Sequence, residues 1–416
     1  MFIFVVLSTH YFMRRTFLFI CIALMGLQVM AQKETVSGTV TDARTGRKLT
    51  QASVTVKGEG VSVVTNDDGY FTLKTDTKPD YILVSHLGYE TKEVKVENDK
   101  NTLRIRLQPT AIQLRELVVW TEDPRELVRI AIRKIPSNYS KLPELYNCFY
   151  RETAMKRNHF IYVAEGVTDM YKTAYNHGMA RDRVAIRKGR RLISRKESDT
   201  LGVKVMGGPV QPIQLDLVKN TDFLLNAEEL ENYKMTMEVP TQIDGRLQYV
   251  VSLAPCRTVD YALYYGKLYI DRETLAFTRA ELTLDMSDRD KATRFMLMRK
   301  PIGVRFKPKE LSCLVDYRYE DGVTRLSYIR NTFRFNCDWK KRLLSTSFTA
   351  TCEMVVTDKS PTDVRPISGR DSFDSKDFFY DRVEYFRDPD FWKDYNIIEP
   401  TETLDNAIGK LLKRYN

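Results

Sequence analysis

Short runs of strictly alternating apolar and polar residues recur from residue 34 to about residue 357, and they constrain the fold more than any other feature. A strand turns successive side chains to opposite faces, so such runs read as strands with one buried side. Val36, Gly38 and Val40 alternate in the first run, and Ala52, Val54 and Val56 in the second. The residues of Tyr70–Leu73, Ile82–Val84, Val94–Val96 and Leu103–Leu107 follow. Thr45-Gly46, Gly58-Glu59-Gly60 and Asp68-Gly69 separate them as turns, where glycine takes positive φ without strain. Short strands at this spacing predict a seven-stranded-type β-sandwich over 34–108. From 146 onward the runs lengthen: Lys234–Val239, Leu247–Leu253, Gly266–Ile270, Glu281–Asp285 and Thr324–Arg330, with turns at Asp244-Gly245, Asp271–Thr274 and Asp321-Gly322. They predict a large antiparallel domain over 146–400, in a form able to close part-way as a half-barrel. The fold class is therefore mainly β, with a few helices.

Three helical segments punctuate this pattern. Asp123 caps and Pro124 opens a short helix in a 109–145 linker, with Leu127, Val128, Ala131, Ile132 and Ile135 on one face and Pro136 as its stop. Residues 212–232 insert one or two short helices. Leu404, Ala407, Ile408, Leu411 and Leu412 share a face of a C-terminal amphipathic helix over 401–416, which is expected to dock on the sheet.

The first 31 residues form a targeting segment. Arg14 and Arg15 precede an apolar run from Thr16 to Met30, and Val29-Met30-Ala31 offers a cleavage site, so the mature chain is expected to begin at Gln32. Translation can start at Met1 or Met13. Ile20 before Cys21 argues against a lipobox. No later run is long enough to span a bilayer as a helix. The formal charge of +10 falls to +8 once this segment, with two arginines and no acid, is removed. That balance suits an anionic partner but does not require one.

The run Thr35-Val-Ser-Gly-Thr-Val-Thr-Asp-Ala-Arg-Thr-Gly-Arg47 resembles the opening G-x-V-x-D-x-x-x-G-x of carboxypeptidase-regulatory-like (transthyretin-like) domains. Gln51–Gly58, Thr65–Phe71 and Ser85–Tyr89 follow in the order those domains show. The stretch is similar to the N-terminal extension of SusC-like TonB-dependent transporters, and Leu114-Arg-Glu-Leu-Val-Val119 resembles their L-x-E-V-V-V segment. Such transporters continue into a plug and a long barrel, for which the rest of this chain is too short, so transport is not implied. Phe149-Tyr-Arg-Glu152 and Asp390–Pro400 resemble a family of uncharacterised envelope proteins, which implies no activity. Gly266–Asp285 is similar to the repeat of LolA-like half-barrels, which implies a carrier of lipids or lipoproteins.

Candidate chemistry is sparse. The mature chain has His86, His159 and His177, too few in the wrong spacing for a zinc site, and lacks H-E-x-x-H and G-x-S-x-G. Cys148 near His159 is the least remote nucleophile pair, Glu152 and Glu165 the least remote carboxylate pair, and Arg151–Glu152 reads as an ion pair. Cys148, Cys256, Cys313, Cys337 and Cys352 fit no metal or redox motif and read as buried free thiols, with Cys337 and Cys352 the pair best placed if a disulfide forms. In Arg181–Lys196, eight of sixteen residues are Lys or Arg. The segment reads as a hairpin turning at Lys188-Gly189, and Arg187, Lys188, Arg190 and Arg191 are the candidate anion-binding residues. The expectation is a non-catalytic binding or scaffolding protein of the periplasm or outer membrane, with an envelope protein, lipid or glycan partner, no cofactor, no metal and no nucleic acid. A lipid or lipoprotein carrier and a hydrolase with an unrecognised site are the alternatives.

Overall fold

In a computed structural model, residues 33–97, 102–110, 123–194, 207–296, 303–339, 345–360, 364–385 and 391–413 are described. The expected targeting segment and Leu114–Val119 lie outside them. The front domain comprises β1 (Glu34–Asp42), β2 (Ser53–Val56), β3 (Ser62–Val64), β4 (Tyr70–Thr75), β5 (Tyr81–Ser85), β6 (Lys92–Lys95) and β7 (Thr102–Leu107). They form two sheets, ordered β4-β1-β7 and β3-β2-β5-β6. The alternating residues close one core, with Val36, Val40, Val54, Phe71, Ile82 and Ile105 all buried. Asp42 explains the D-x-x-x-G spacing: it accepts from Tyr89 Oη at 2.7 Å and from the amides of Arg44 and Thr45 at 2.8 Å. These donors, the tyrosine foremost, hold its carboxyl down at about 2.

Helix α1 (Pro124–Arg133) and the single turn α2 (Ile135–Asn138) follow. Asp123 Oδ1 accepts from Arg125 N at 2.9 Å, the expected cap. Pro136 sits in the first turn of α2 instead of ending the chain's helical course, because its missing N–H costs nothing there.

The large domain is one open twelve-stranded sheet. It contains β8 (Glu144–Lys156), β9 (His159–Lys172), β10 (Arg183–Ile193), β11 (Tyr233–Met237), β12 (Thr241–Ile243), β13 (Arg246–Pro255), β14 (Tyr264–Asp271), β15 (Phe277–Leu284), β16 (Val304–Glu320), β17 (Val323–Trp339), β18 (Thr346–Lys359) and β19 (Glu384–Tyr385). The order is β11-β13-β14-β15-β16-β17-β18-β8-β9-β10-β19, with β12 beside β13. Every pair is antiparallel except the short β10–β19 bridge. The ends do not meet, so the sheet is not a barrel.

Each face is covered by different segments. The inner face packs against α1, α3 (Gln211–Leu215), α4 (Ala227–Leu230), α5 (Arg289–Met296) and α6 (Phe379–Arg382), burying Leu127, Leu217, Leu224, Leu230 and Phe379. Gly166 and Gly189 face each other across β9 and β10. A Cβ on Gly166 would lie 2.6 Å from the Phe379 ring, and one on Gly189 2.3 Å from Val383 Cγ1. The two glycines thus form the notch that seats α6. The outer face packs against Val64 of the sandwich, Trp392, Ile397 and Ile398. Helix α7 (Glu402–Leu412), capped by Thr401, docks Leu404, Ile408 and Leu411 on Val163 and Leu192 of the same sheet, as its apolar stripe predicts. Among the described residues no helix is long and apolar enough to cross a membrane.

Candidate binding faces and the clamp between domains

Strand parity sorts the titratable groups of β8–β10. Register pairs Glu152 with Ala164 and Arg151 with Glu165, so Glu152 and Glu165 project from opposite faces. They cannot flank one substrate bond, and the carboxylate-pair reading is removed. The ion pair predicted for Arg151 with Glu152 is instead made across strands, to Glu165 at 2.8 Å. Adjacent residues on a strand point apart, which forbids the local pairing.

Glu165 is the hub of the outer face. Its Oε1 accepts from Arg151 Nε at 2.9 Å, and Oε2 accepts from Arg190 Nε and Trp392 Nε1, each at 3.1 Å. Burial raises its pKa, but the two guanidinium charges and the indole donor outweigh that and leave it below the usual carboxylate value. Arg151 also donates to Ile398 O at 2.6 Å.

Glu152, on the inner face, makes no ion pair among the described residues. It accepts from Tyr150 Oη at 2.8 Å and Tyr162 Oη at 2.7 Å and is 1% exposed. Burial pushes its carboxyl up to about 7 against the pull of those two hydroxyls.

The predicted basic hairpin is not formed. Residues 183–193 run through as a single strand, β10, with a bulge between Ile186 and Lys188 in place of a turn. Gly189 serves the α6 notch, not a reversal. Three of the four candidate cations consequently share the outer face and Arg191 takes the inner one. Arg187 is half exposed and pairs with Asp169 at 2.6 Å. Lys188 lies 4.0 Å from the Phe391 ring centre and donates to Phe391 O at 2.8 Å. Arg190 binds Glu165 and stacks 5.0 Å from Trp392. Arg191, on the opposite face, lies 3.9 Å over Tyr380 and donates to its carbonyl. Parity splits the run between two faces, and aromatic and acidic neighbours engage it from within the molecule.

Other sequence candidates also separate. Cys148 is fully buried in mid-strand against Thr168, while His159 lies at the far end of β9. Eight residues of strand between 148 and 156 span roughly 27 Å, which removes the Cys–His pair. His177 lies at the opposite end of β9. His86 stacks edge-on against Tyr89 and sits 3.1 Å from the carbonyl oxygens of Thr50 and Leu87, a packing role. Cys337 faces Thr346 and Cys352 faces Asn331, several residues out of register, and all five described cysteines are free thiols. The free-thiol reading holds for these five, with Cys256 exposed instead of buried, and Cys337 and Cys352 do not pair.

Sequence reasoning missed a clamp built by Phe391–Pro400. Asn396 Oδ1 accepts from Lys74 N at 2.7 Å and its Nδ2 donates to Lys74 O at 2.8 Å, so one side chain pairs with the open edge of β4 as a strand would. Lys74 Nζ donates to Trp392 O at 2.7 Å and Tyr395 O at 3.0 Å. Asn66 Nδ2 reaches Pro400 O at 3.0 Å. Trp392 meanwhile seats on Phe149 at 5.6 Å and binds Glu165. One segment therefore holds the sandwich and the large sheet together. The density of aromatics and polar turn formers in Phe-Trp-Lys-Asp-Tyr-Asn was the visible signal. Ser62 Oγ to Val356 O at 3.0 Å, Arg318 to Ser53 Oγ at 2.7 Å and Gly88 N to Gln242 O at 3.0 Å extend the contact. Edges β3 and β4 are thereby covered, while β6 and β7 remain at the outside of their sheets.

A family model for the CarboxypepD_reg-like domain matches residues 36–119. The TonB-dependent receptor P3 of Formosa agariphila is 31% identical over 105 residues, which are 25% of this chain and 10% of the receptor. Residues 36–119 are a carboxypeptidase-regulatory-like domain, and the shared stretch is a small part of that receptor. Among solved structures, a DUF1329 family protein from Desulfovibrio piger covers 56% of this chain and 94% of its own at 9% identity and a TM-score of 0.23. A domain described as an outer-membrane lipoprotein-sorting protein from Vibrio parahaemolyticus covers 59% and 94% at 10% identity and 0.25. MucB, solved in complex with MucA, covers 58% and 100% at 12% identity and 0.18. Superpositions this loose carry no functional argument.

Proposed function

We propose that this chain is a non-catalytic binding protein of the bacterial envelope, in which the large sheet holds the front sandwich in one orientation for a partner. The observation that carries this reading is the clamp: a single C-terminal segment pairs with the edge of β4 through Asn396 and anchors on Glu165 through Trp392. A domain tethered only by a linker needs no such device. The likeness of the front domain to part of a TonB-dependent receptor supports an envelope setting, and the expected cleavage before Gln32 agrees with it. The strongest titratable groups support a binding role, because they are engaged with one another: Glu165 with two arginines, Lys172 with Asp216, and Glu144 with Arg325. The test places photo-cross-linkers at Glu93 on β6 and Arg104 on β7 in intact cells. A discrete adduct, reduced in an Asn396→Ala/Trp392→Ala variant, is expected; no adduct at either edge overturns the proposal. N-terminal sequencing of the fractionated protein checks the export expectation.

A carrier of an apolar ligand is the second reading, favoured by an aromatic row on the inner face. Phe306, Phe335 and Phe348 lie in sequence at 4.9 and 5.5 Å between ring centres, and Trp339 adjoins Phe348. Phe306, Phe333 and Trp339 stay partly exposed there. Lipid recovered at stoichiometric amounts by solvent extraction of the native protein supports this reading, and its absence removes it.

A further inference from the structure

The basic stretch singled out by the sequence has a second part, Arg181 and Arg183, that the clamp does not use. Asp182 turns inward between them and accepts from Thr173 N at 2.9 Å and Thr173 Oγ1 at 2.8 Å. That anchor presents both arginines to one cleft of about 430 Å³, lined also by Lys141, His177, Tyr171 and Thr173. Among the described residues that line it, none is acidic. The volume lies within the range of small-molecule sites, roughly 300–1,000 Å³.

The walls are set before any ligand arrives. Tyr175 N donates to Ser140 O at 2.9 Å and fixes the loop that carries Lys141. Phe373 N donates to Val184 O at 2.7 Å and lays the segment carrying Pro366 and Ile367 along β10. Beneath the cleft, buried Lys219 donates to Thr173 O at 2.7 Å, Thr173 Oγ1 at 2.9 Å and Ala174 O at 2.5 Å. It ties the 173–174 backbone to the ion box of Lys172, Asp182 and Asp216. Lys141 and Arg181, both exposed, bring two cations to this rigid frame, and Arg183 beside them donates to Asp182 O at 3.0 Å. Such a pair of cations suits an oxyanion, since a planar guanidinium binds phosphate or carboxylate in a fork. Tyr171 and the Pro366–Ile367 rim offer an apolar wall for a carbon skeleton.

We propose that this cleft binds a phosphate-bearing ligand of sugar-phosphate size, held by Lys141 and Arg181. The proposal is independent of the clamp and of the partner it presents.

The test uses the full mature chain, with isothermal titration of a hexose 6-phosphate, the unphosphorylated hexose as control, and co-sedimentation with vesicles containing an anionic phospholipid. Saturable binding of the sugar phosphate but not the hexose is expected. A Lys141→Glu/Arg181→Glu variant, altered at two exposed side chains, is expected to keep the wild-type melting temperature and lose at least about tenfold in affinity, more than one charge-assisted contact. Arg187→Ala, outside the cleft, leaves binding unchanged. Vesicle binding lost in the same variant, without binding of the free sugar phosphate, assigns the oxyanion to a lipid headgroup. Failure of both probes to bind, or binding unaffected by the double reversal, overturns the proposal.

Discussion

Replacing Glu152 by Gln is expected to stabilise the protein at alkaline pH and to change little at acidic pH. The carboxyl is 1% exposed, makes no ion pair among the described residues, and is pushed by burial up to about 7 from 4.5. Because the folded value is raised, the native state holds the proton more tightly than the unfolded chain. Stability is then full below about pH 4.5, declines as pH rises, and stays diminished above pH 7. The difference of about 2.5 pH units, at about 1.4 kcal/mol each, gives a penalty on the order of 3 kcal/mol at pH 8. Glutamine keeps the shape and an oxygen for one tyrosine hydroxyl, and the other can rotate to accept from the amide. Urea unfolding of both proteins at pH 5 and pH 8 measures the effect. The reasoning fails if Glu152→Gln is destabilising at pH 8, or if its effect is the same at both pH values.

Three further outcomes follow from the same structure. Glu165→Gln leaves two buried guanidinium groups without a shared carboxylate and should cost about 3–5 kcal/mol in chemical denaturation. The depressed pKa adds that wild-type stability from this group is present at neutral pH and fades as pH falls below the ordinary carboxylate range. Gly189→Ala drives a methyl into Val383, 2.3 Å away, and should cost about 1–3 kcal/mol by overpacking, read as a lower melting temperature. In the native protein a thiol reagent should label Cys256 quickly, because it is exposed, and Cys148, Cys313, Cys337 and Cys352 only on unfolding; mass spectrometry counts the adducts. Burial also pushes the Cys313 thiol up to about 12, against reaction.

The residues themselves determined the local structure. The period-two runs named from the sequence became β1, β2, β4 to β7, β11, β13, β14, β15 and β17, the Asp42 turn and the Asp123 and Thr401 caps formed from their own side chains, and the 404–408–411 stripe docked as an amphipathic helix must. Each of these depends on neighbours within a few positions, so spacing suffices. Tertiary structure alone decided which groups met. Parity fixed that Arg151 and Glu152 face apart, but only the β8–β9 register selected Glu165 as partner, and only the fold brought Trp392 to it from 227 positions away. The same long-range pairing divided Arg187, Lys188, Arg190 and Arg191 between two faces, placed Asn396 on the edge of β4, and set Arg181 and Arg183 at the lining of one cleft. A side chain's charge can be read from its letter, whereas what neutralises it depends on which distant strand lies alongside.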